Sequence, residues 1–384
     1  MVTDSRIAAS PRVIGESLST HRNSLNFLRL IFAAVVLLSH AASLGWFTSW
    51  EGVFNNTTMA QVALYGFFGV SGYLIVQSAM RTTASGYIWR RSLRIFPGLI
   101  TCLVVIAAVF GVIAWMQQSH PHCGFSCYLN APDSPFTYVL KNALLSNPYW
   151  KQQTIAGTPV AIIPNWNTPI WTLFFEFLCY LMLLVFAVLG LLRRRILTLA
   201  CALTLWMAVA VITVTPSLSD QFTVIHHCNL EAFMRFAEIF LTASVLYLYR
   251  ERIPDRGWLA LASLVLFVIG VGLPSGGKIP TYSFTPLDIF LPFLVYPVLW
   301  LGIHLPFQSI GSKNDYSYGI YIYGWPVTQM FVIWQFERFG LIAFLAVCMF
   351  ATVPFAVASW WLIERNALSL KRLVPGRSLI GSTS

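Results

Sequence analysis

The chain has 384 residues, of which 57% are hydrophobic and 10% are charged, and its mean hydropathy is +0.69. Soluble domains carry about 25% charged residues, so this composition excludes an ordinary soluble enzyme. The net charge is +10, but most of the basic residues lie in short segments between apolar blocks. No basic helix carries interleaved aromatic residues. We therefore expect a membrane protein without a nucleic-acid partner.

Ten apolar segments have close to the roughly 20 residues that a helix needs to cross a bilayer. Alternating ten-residue strands, which build membrane β-barrels, are absent from the sequence. The sequence predicts an all-α polytopic membrane protein with helices at 27–47, 61–80, 97–117, 169–190, 196–215, 230–249, 258–273, 286–304, 317–336 and 340–363. A polar segment at 1–26 and a tail at 364–384 flank the transmembrane domain at 27–363. The polar start argues against a cleavable signal peptide.

The distribution of Lys and Arg predicts the orientation of the chain. The segments on the side of both termini hold 18 of these residues, against four on the opposite side, so both termini are predicted to be cytoplasmic. The long segment at 118–168 then faces the exterior. Its run HPHCGFSC begins at His120 and includes His122, but the spacing matches no common zinc site, and we expect no metal. In an oxidising compartment, a Cys123–Cys127 disulfide is favoured over unpaired thiols.

A few ionisable residues fall inside predicted helices, where a charge costs about 2.5–3.5 kcal/mol. Arg29 and His40 are 11 residues apart, which places them on one helix face, about 16 Å apart. Glu176 belongs to a predicted helix that runs in the opposite direction, and it lies at about the same depth in the membrane as His40. A carboxylate at that depth would orient the imidazole. The alternative is that His40 is an interhelical hydrogen-bond partner and Arg29 a helix-end residue that reaches the interface. Arg235 and Glu238 are spaced as an internal ion pair, for which a structural role is favoured.

A segment predicted to be a cytoplasmic loop, GYIWRRSLRIFPGLI, carries Arg90, Arg91 and Arg94 directly before the third helix. Membrane orientation alone explains such a cluster, but arginine forks also suit phosphate oxygens. The sequence contains no Walker-type phosphate loop and no G-x-S-x-G nucleophile motif.

Six segments carry a further pattern, in order from the first helix to the last. They are NFLRLIFAAVVLLSH (26–40), YGFFGVSGYLI (65–75), WRRSLRIFPGL (89–99), NWNTPIWTLFFEFLCYL (165–181), YSYGIYIYGWPVTQ (316–329) and WWLIERNALSLKR (360–372). Together they resemble the membrane-bound acyltransferase-3 family, the O-acyltransferases of bacterial surface glycans and other acceptors. The sequence departs from the family where Arg365 and Asn366 follow Glu364, since Glu-x-Pro is common at this place. A second expected departure is the absence of the C-terminal esterase-like domain that some members carry.

The resemblance implies an O-acetyltransferase type of enzyme with no permanently bound cofactor. An acyl group, acetyl by family habit, would move from cytoplasmic acyl-CoA to a hydroxyl of an extracytoplasmic or lipid-linked glycan. His40 would be the general base, with Arg29 as its partner and Glu176 as the acid of the fourth helix. The acyl-CoA entrance would lie beside Arg90, Arg91 and Arg94. The supporting candidates are Ser71, Trp171, Arg235 and Tyr318.

The expected location is the bacterial inner membrane. The expected partners are the lipid bilayer, acyl-CoA and a saccharide acceptor, and a homo-oligomer is left open. The competing class is a proton-coupled transporter or exporter of a glycan or small molecule, because mid-membrane His, Arg and Glu also describe such carriers. No inverted repeat with matching broken helices is visible in the sequence, which favours the enzyme.

Overall fold

The computed structural model describes residues 13–19, 23–45, 53–54, 57–118, 124–145, 153–159, 165–215, 217–218, 229–275 and 283–374. A short antiparallel hairpin pairs β1 (Val53–Phe54) with β2 (Thr57–Thr58). The helices are α1 (Ile14–Ser19), α2 (Leu25–Leu44), α3 (Met59–Arg81), α4 (Ala84–Met116), α5 (Ser126–Asn130), α6 (Pro135–Ala143), α7 (Trp171–Val188), α8 (Arg195–Val214), α9 (Asn229–Leu248), α10 (Gly257–Gly272), α11 (Pro286–Phe290), α12 (Pro292–His304), α13 (Ser317–Ile333) and α14 (Leu341–Arg372).

Helices occupy all ten segments in which the sequence predicts a span. In the described part of the chain, six of them are long and apolar enough to cross a membrane: α2, α3, α4, α7 with its preceding 3-10 turn Thr168–Ile170, α8 and α14. Two more, α10 and α12, are shorter apolar helices. The remaining two are α9, which carries three charged side chains, and α13, which has 17 residues. The prediction of an all-α polytopic membrane protein is confirmed.

Two helix boundaries differ from the prediction. The segment with Arg90, Arg91 and Arg94 is part of α4 and not a loop, because α4 begins at Ala84, where the Thr83 side chain accepts a hydrogen bond from the Gly86 N–H. The last helix likewise continues to Arg372. These polar helix ends contact each other, since the Trp89 indole donates to the Leu370 carbonyl at 3.0 Å. The apolar content of the sequence does not predict these polar helix ends, because they are stabilised by contact with each other.

The interior of the bundle is formed by helices that approach closely. α2 packs against α3 and α13, and α3 packs against α9. A Cβ atom added at Gly72 would lie 2.8 Å from the Phe240 carbonyl oxygen, so the α3 and α9 backbones nearly touch there. By contrast, α8 buries Thr198 and Val209 and turns most of its apolar side chains outward, as expected of a helix that faces lipid.

Candidate active site

Three cavities follow one another between α2, α3, α4, α7 and α13. We call them the basic cavity, the middle cavity and the His40 cavity, and their volumes are about 290, 40 and 320 Å³. The basic and middle cavities share Arg29, Ser71 and Arg94 in their walls. The middle and His40 cavities share Leu64, Thr172 and Tyr321. The small middle cavity therefore lies between the two larger ones and shares walls with both.

The basic cavity is defined by its concentration of positive charge. Its basic lining residues are Arg29, Arg90, Arg91, Arg94, Lys313 and Lys371. The acidic residue among its described lining residues is Asp315. So unequal a set of charges favours an anionic ligand, and arginine forks match phosphate oxygens in particular.

Asp315 holds two of these arginines at once. One of its oxygens, Oδ2, accepts a hydrogen bond from Arg29 at 2.7 Å and from Arg94 at 2.6 Å, while Oδ1 accepts from the backbone and hydroxyl of Ser317. Burial alone raises the pKa of the Asp315 carboxyl, but Arg29, Arg94 and the Ser317 hydrogen bonds together hold that pKa well below its usual range. Asp315 is therefore a permanent anion that fixes both guanidinium groups.

Arg90 and Arg91 are less constrained. Within the described residues neither forms an ion pair with a carboxylate, and the buried Nε atom of each has no hydrogen-bond partner. Arg91 lies 5.7 Å from the Tyr180 ring and 6.0 Å from the Tyr87 ring, which supports the side chain without neutralising its charge. These two guanidinium groups are available to a ligand.

Arg94 makes two further contacts where the basic and middle cavities meet. Its guanidinium lies 3.7 Å from a Glu364 oxygen and 5.5 Å from the centre of the Tyr318 ring. Glu364 also accepts from Ser359 at 2.9 Å, and the Tyr318 hydroxyl donates to the Ile95 carbonyl at 2.7 Å. Tyr318 is thus fixed in the wall of the middle cavity.

His40 lies in the cavity at the opposite end of the series. Its ring meets the Trp325 indole edge to face, with the centroids 5.0 Å apart. The Trp325 Nε1–H donates to the Asn165 carbonyl at 2.8 Å, and the Gln329 side chain donates to the same oxygen at 3.0 Å. The indole against which the imidazole packs is therefore held by the segment that precedes α7. Polar side chains, Ser39, Ser43, Thr58 and Gln61, also line this cavity, together with Trp171.

The structure does not form the expected pair between Glu176 and His40. Glu176 lines the middle cavity and accepts a hydrogen bond from Tyr180, one turn further along α7. Thr172, which reaches the His40 cavity, precedes Glu176 by four residues, or about 6 Å along the helix axis. The membrane depths that the sequence predicts for Glu176 and His40 are too coarse to distinguish positions one helical turn apart.

Arg235 is also placed differently from the expectation. It lies outside the described walls of the three cavities and forms a buried ion pair with Asp288 on α11, with a second contact at 3.1 Å. Glu238 is buried, and neither of its carboxylate oxygens has a hydrogen-bond partner in the described region. The expected Arg235–Glu238 pair is therefore wrong, because α11 brings a carboxylate from a distant part of the sequence.

The remaining sequence candidates divide into two groups. Ser71 and Trp171 line the series of cavities, and their supporting role stays a prediction. His120, His122 and Cys123 lie outside the described residues, although Cys127 is disulfide-bonded. Over the described ranges, no group of three or more His, Cys, Asp or Glu side chains could hold a metal ion.

Comparison with known proteins places this architecture in a family. A family model described as an acyltransferase domain matches residues 22–361. The chain belongs to the acyltransferase-3 family. A relative from Shigella phage Sf6, named O-acetyl transferase, is 24% identical over 90% of this chain and 96% of its own length. Nodulation protein 10 of Rhizobium leguminosarum bv. viciae is 27% identical over 95% of this chain and 98% of its own length. No solved structure matches this acyltransferase.

Sequence reasoning missed several residues of this site. Asp315 and Tyr321 flank or belong to the segment YSYGIYIYGWPVTQ, but their roles depend on α13 lying against α2 and α7. The sequence predicts Glu364 as the first residue of the tail, whereas it is buried beside Arg94. The signal that could have identified Asp315 is an isolated carboxylate directly before a motif that begins a buried helix.

Proposed function

We propose that this acyltransferase moves an acyl group, acetyl as in the name of the phage relative, from acyl-CoA to a hydroxyl of a glycan or lipid-linked saccharide. The observation that carries the proposal is the series of adjoining cavities with cations at one end and His40 at the other. An acyl-CoA molecule has the matching polarity, with phosphates at one end and a thioester at the other.

The dimensions of the series support this orientation of the donor. Arg29 and His40 are separated by 11 residues of α2, or about 16 Å along the helix. The extended pantetheine arm of CoA is about 15 Å long. With its phosphates in the basic cavity, the donor would therefore present its thioester near His40. The pantetheine amides would pass Ser71 and Glu176, whose oxygens can accept their N–H hydrogens.

His40 is proposed as the general base. An acceptor hydroxyl in the His40 cavity attacks the thioester carbon while the imidazole takes the hydroxyl proton. The intermediate collapses, the C–S bond breaks, and the CoA thiolate takes a proton from the imidazolium. General base catalysis of this kind contributes about 10²–10⁴-fold. The proposal assigns the alignment of the donor phosphates to Arg29 and Arg94.

The proposed location is the bacterial inner membrane, with the basic cavity open to the cytoplasm. This orientation follows the excess of Lys and Arg on the side of both termini. Acyl-CoA is a cytoplasmic metabolite, and an acceptor would approach the His40 cavity from the exterior. The acyl group would then cross most of the membrane inside the protein, while CoA stays on the cytoplasmic side.

The test is transfer of labelled acetyl from acetyl-CoA by purified protein in lipid vesicles, with a saccharide extract supplied on the His40 side. We expect labelled saccharide with the wild type, and a loss of at least about 10²-fold in His40→Ala. His304→Ala is the matched control, since His304 stacks on Trp300 outside the three cavities. Near-normal transfer by His40→Ala would remove the proposed base. Absence of CoA release with all donors would reject the enzyme in favour of a carrier.

A further inference from the structure

Two hydroxyl groups meet in the wall between the middle cavity and the His40 cavity. The Thr172 Oγ1 and Tyr321 Oη atoms are 2.5 Å apart. Both also lie within hydrogen-bond distance of the Pro169 carbonyl oxygen, at 2.9 and 3.1 Å respectively. Thr172 and Tyr321 come from α7 and α13, and both residues are buried. Two helices are thus joined by a hydroxyl pair at the narrow point of the series.

This arrangement contains more hydrogen-bond contacts than protons. The two hydroxyls supply one proton each, so two hydrogen bonds can form at a time. Three oxygen–oxygen contacts are short enough to be hydrogen bonds. A hydroxyl can turn its proton to a new acceptor by rotation about a single bond, without any change in the backbone. The pair is therefore able to redirect a donor toward an oxygen that gains negative charge nearby.

The hydroxyl end of Tyr321 lies on the His40 side of the wall. Pro169, which this hydroxyl contacts, lines the His40 cavity and is not among the described lining residues of the middle cavity. The Tyr321 ring also makes a T-shaped contact with Phe67, a residue of the middle cavity, with the ring centroids 6.0 Å apart. Thr172 lies in the first turn of α7, where the positive end of the helix dipole also favours negative charge.

We propose that the Tyr321 and Thr172 hydroxyls are the hydrogen-bond donors that stabilise the oxyanion of the transfer reaction. This inference rests on the proposed function. When the acceptor oxygen bonds to the thioester carbon, the π electrons of the carbonyl move to its oxygen, and His40 takes the acceptor proton. The two hydroxyls donate to that oxygen until the carbonyl re-forms and the C–S bond breaks. Their protons return to their original contacts, so neither residue is consumed.

Two of the supporting candidates suggested by the sequence, Ser71 and Trp171, are less well placed for this role. Ser71 lines the middle and basic cavities and is not among the described residues around His40. Trp171 does line the His40 cavity, but its ring packs against Phe175 and Phe236. The hydroxyl pair is the one polar group among the described residues that the middle and His40 cavities share.

The test compares Tyr321→Phe and Thr172→Val, each of which removes a hydroxyl and little else, in the full-length protein in vesicles. We expect kcat to fall by about 10²-fold in each variant, while the Kd of a non-reactive thioether analogue of acetyl-CoA stays within about twofold of the wild type. Thr172→Ser, which restores a hydroxyl, should recover most of the lost transfer. Matched controls are Tyr323→Phe and Thr352→Val, whose buried side chains are not among the described lining residues.

Each outcome decides the proposal. A kcat within about threefold of the wild type in both variants overturns it. A parallel loss of analogue binding also overturns it, because the hydroxyls would then position the donor in its ground state. If Tyr321→Phe fails to fold, the Thr172→Val and Thr172→Ser pair decides in the same way. An inactive wild type, or an active His40→Ala, would instead reject the proposed function on which the inference rests.

Discussion

Replacing Asp315 by Asn tests how the basic cavity is held together. The change keeps the shape of the side chain and an oxygen that Ser317 can bond, but it removes the charge between Arg29 and Arg94. Both guanidinium groups now use the same carboxylate oxygen. Without that charge, two cations would face each other across a neutral amide in a mostly buried site.

The size of the effect follows from the geometry. Each arginine nitrogen lies within 2.7 Å of Asp315 Oδ2, which corresponds to a separation of charge centres of about 4 Å. At an effective dielectric constant of about 20, each attraction amounts to about 4 kcal/mol. The repulsion between the two cations, which is also present in the wild type, would no longer be offset by the carboxylate. Because the arginines can relax toward water, we expect a net loss of about 3–5 kcal/mol, as for other broken buried pairs.

The assay is thermal unfolding of the purified protein in detergent, with acyl transfer measured in parallel. A loss of this size should lower the apparent Tm by at least about 5 °C. The pKa of Asp315 lies well below its usual range in the folded protein, and that of an unfolded Asp is about 3.9. The stabilisation is therefore fully present above the unfolded value and is lost only at lower pH. Titration of Asp315 itself should therefore not change the Tm difference between wild type and Asp315→Asn from pH 5 to about 8.

Two comparisons make this prediction refutable. Asp133→Asn removes a carboxylate that is 55% exposed and lies 3.8 Å from Lys141, so it should cost less than about 1 kcal/mol. Adding Arg29→Gln to Asp315→Asn should recover part of the stability, since one of the two opposed cations is gone and Arg29 pairs with no second carboxylate among the described residues. An unchanged Tm in Asp315→Asn, or no recovery in the double variant, would show that Asp315 does not balance these charges.

Two further predictions concern other parts of the structure. Arg90→Gln and Arg91→Gln should each raise the KM for acetyl-CoA about tenfold with kcat preserved, because a phosphate partner is lost. The same change at the exposed Arg195 should leave KM unaltered, and an equal response of all three would reduce the cluster to an orientation signal. Gly72→Ala should destabilise the protein by about 1–3 kcal/mol, since its Cβ would meet the α9 backbone. In the same helix, Gly69→Ala meets Val295 at an ordinary 3.7 Å and should be neutral or stabilising by about 0.5–1 kcal/mol; thermal unfolding distinguishes the two.

Much of the architecture could be predicted from the sequence, because a bilayer restricts a chain to apolar helices of nearly fixed length. The candidate residues on α2 and α4 could also be found, since buried or clustered charges are rare in such helices. The partners of these residues could not. Asp315 lies 286 positions after Arg29, and the Arg235–Asp288 contact joins residues 53 positions apart. Such pairs depend on how helices pack, which local patterns do not determine.

The shared use of Asp315 explains how the proposed donor site can remain folded when it is empty. Two arginines aimed at phosphate would repel each other without a ligand, and the free protein would lose the arrangement that the donor requires. One carboxylate oxygen accepts a single N–H from each guanidinium, so most of their donors remain free for phosphate. Arg90 and Arg91 carry no such counter-charge within the described residues and, in the proposed function, supply the net attraction. The basic cavity thus contains two fixed cations, Arg29 and Arg94, which favour alignment of the proposed donor. Its two available cations, Arg90 and Arg91, favour affinity for that donor.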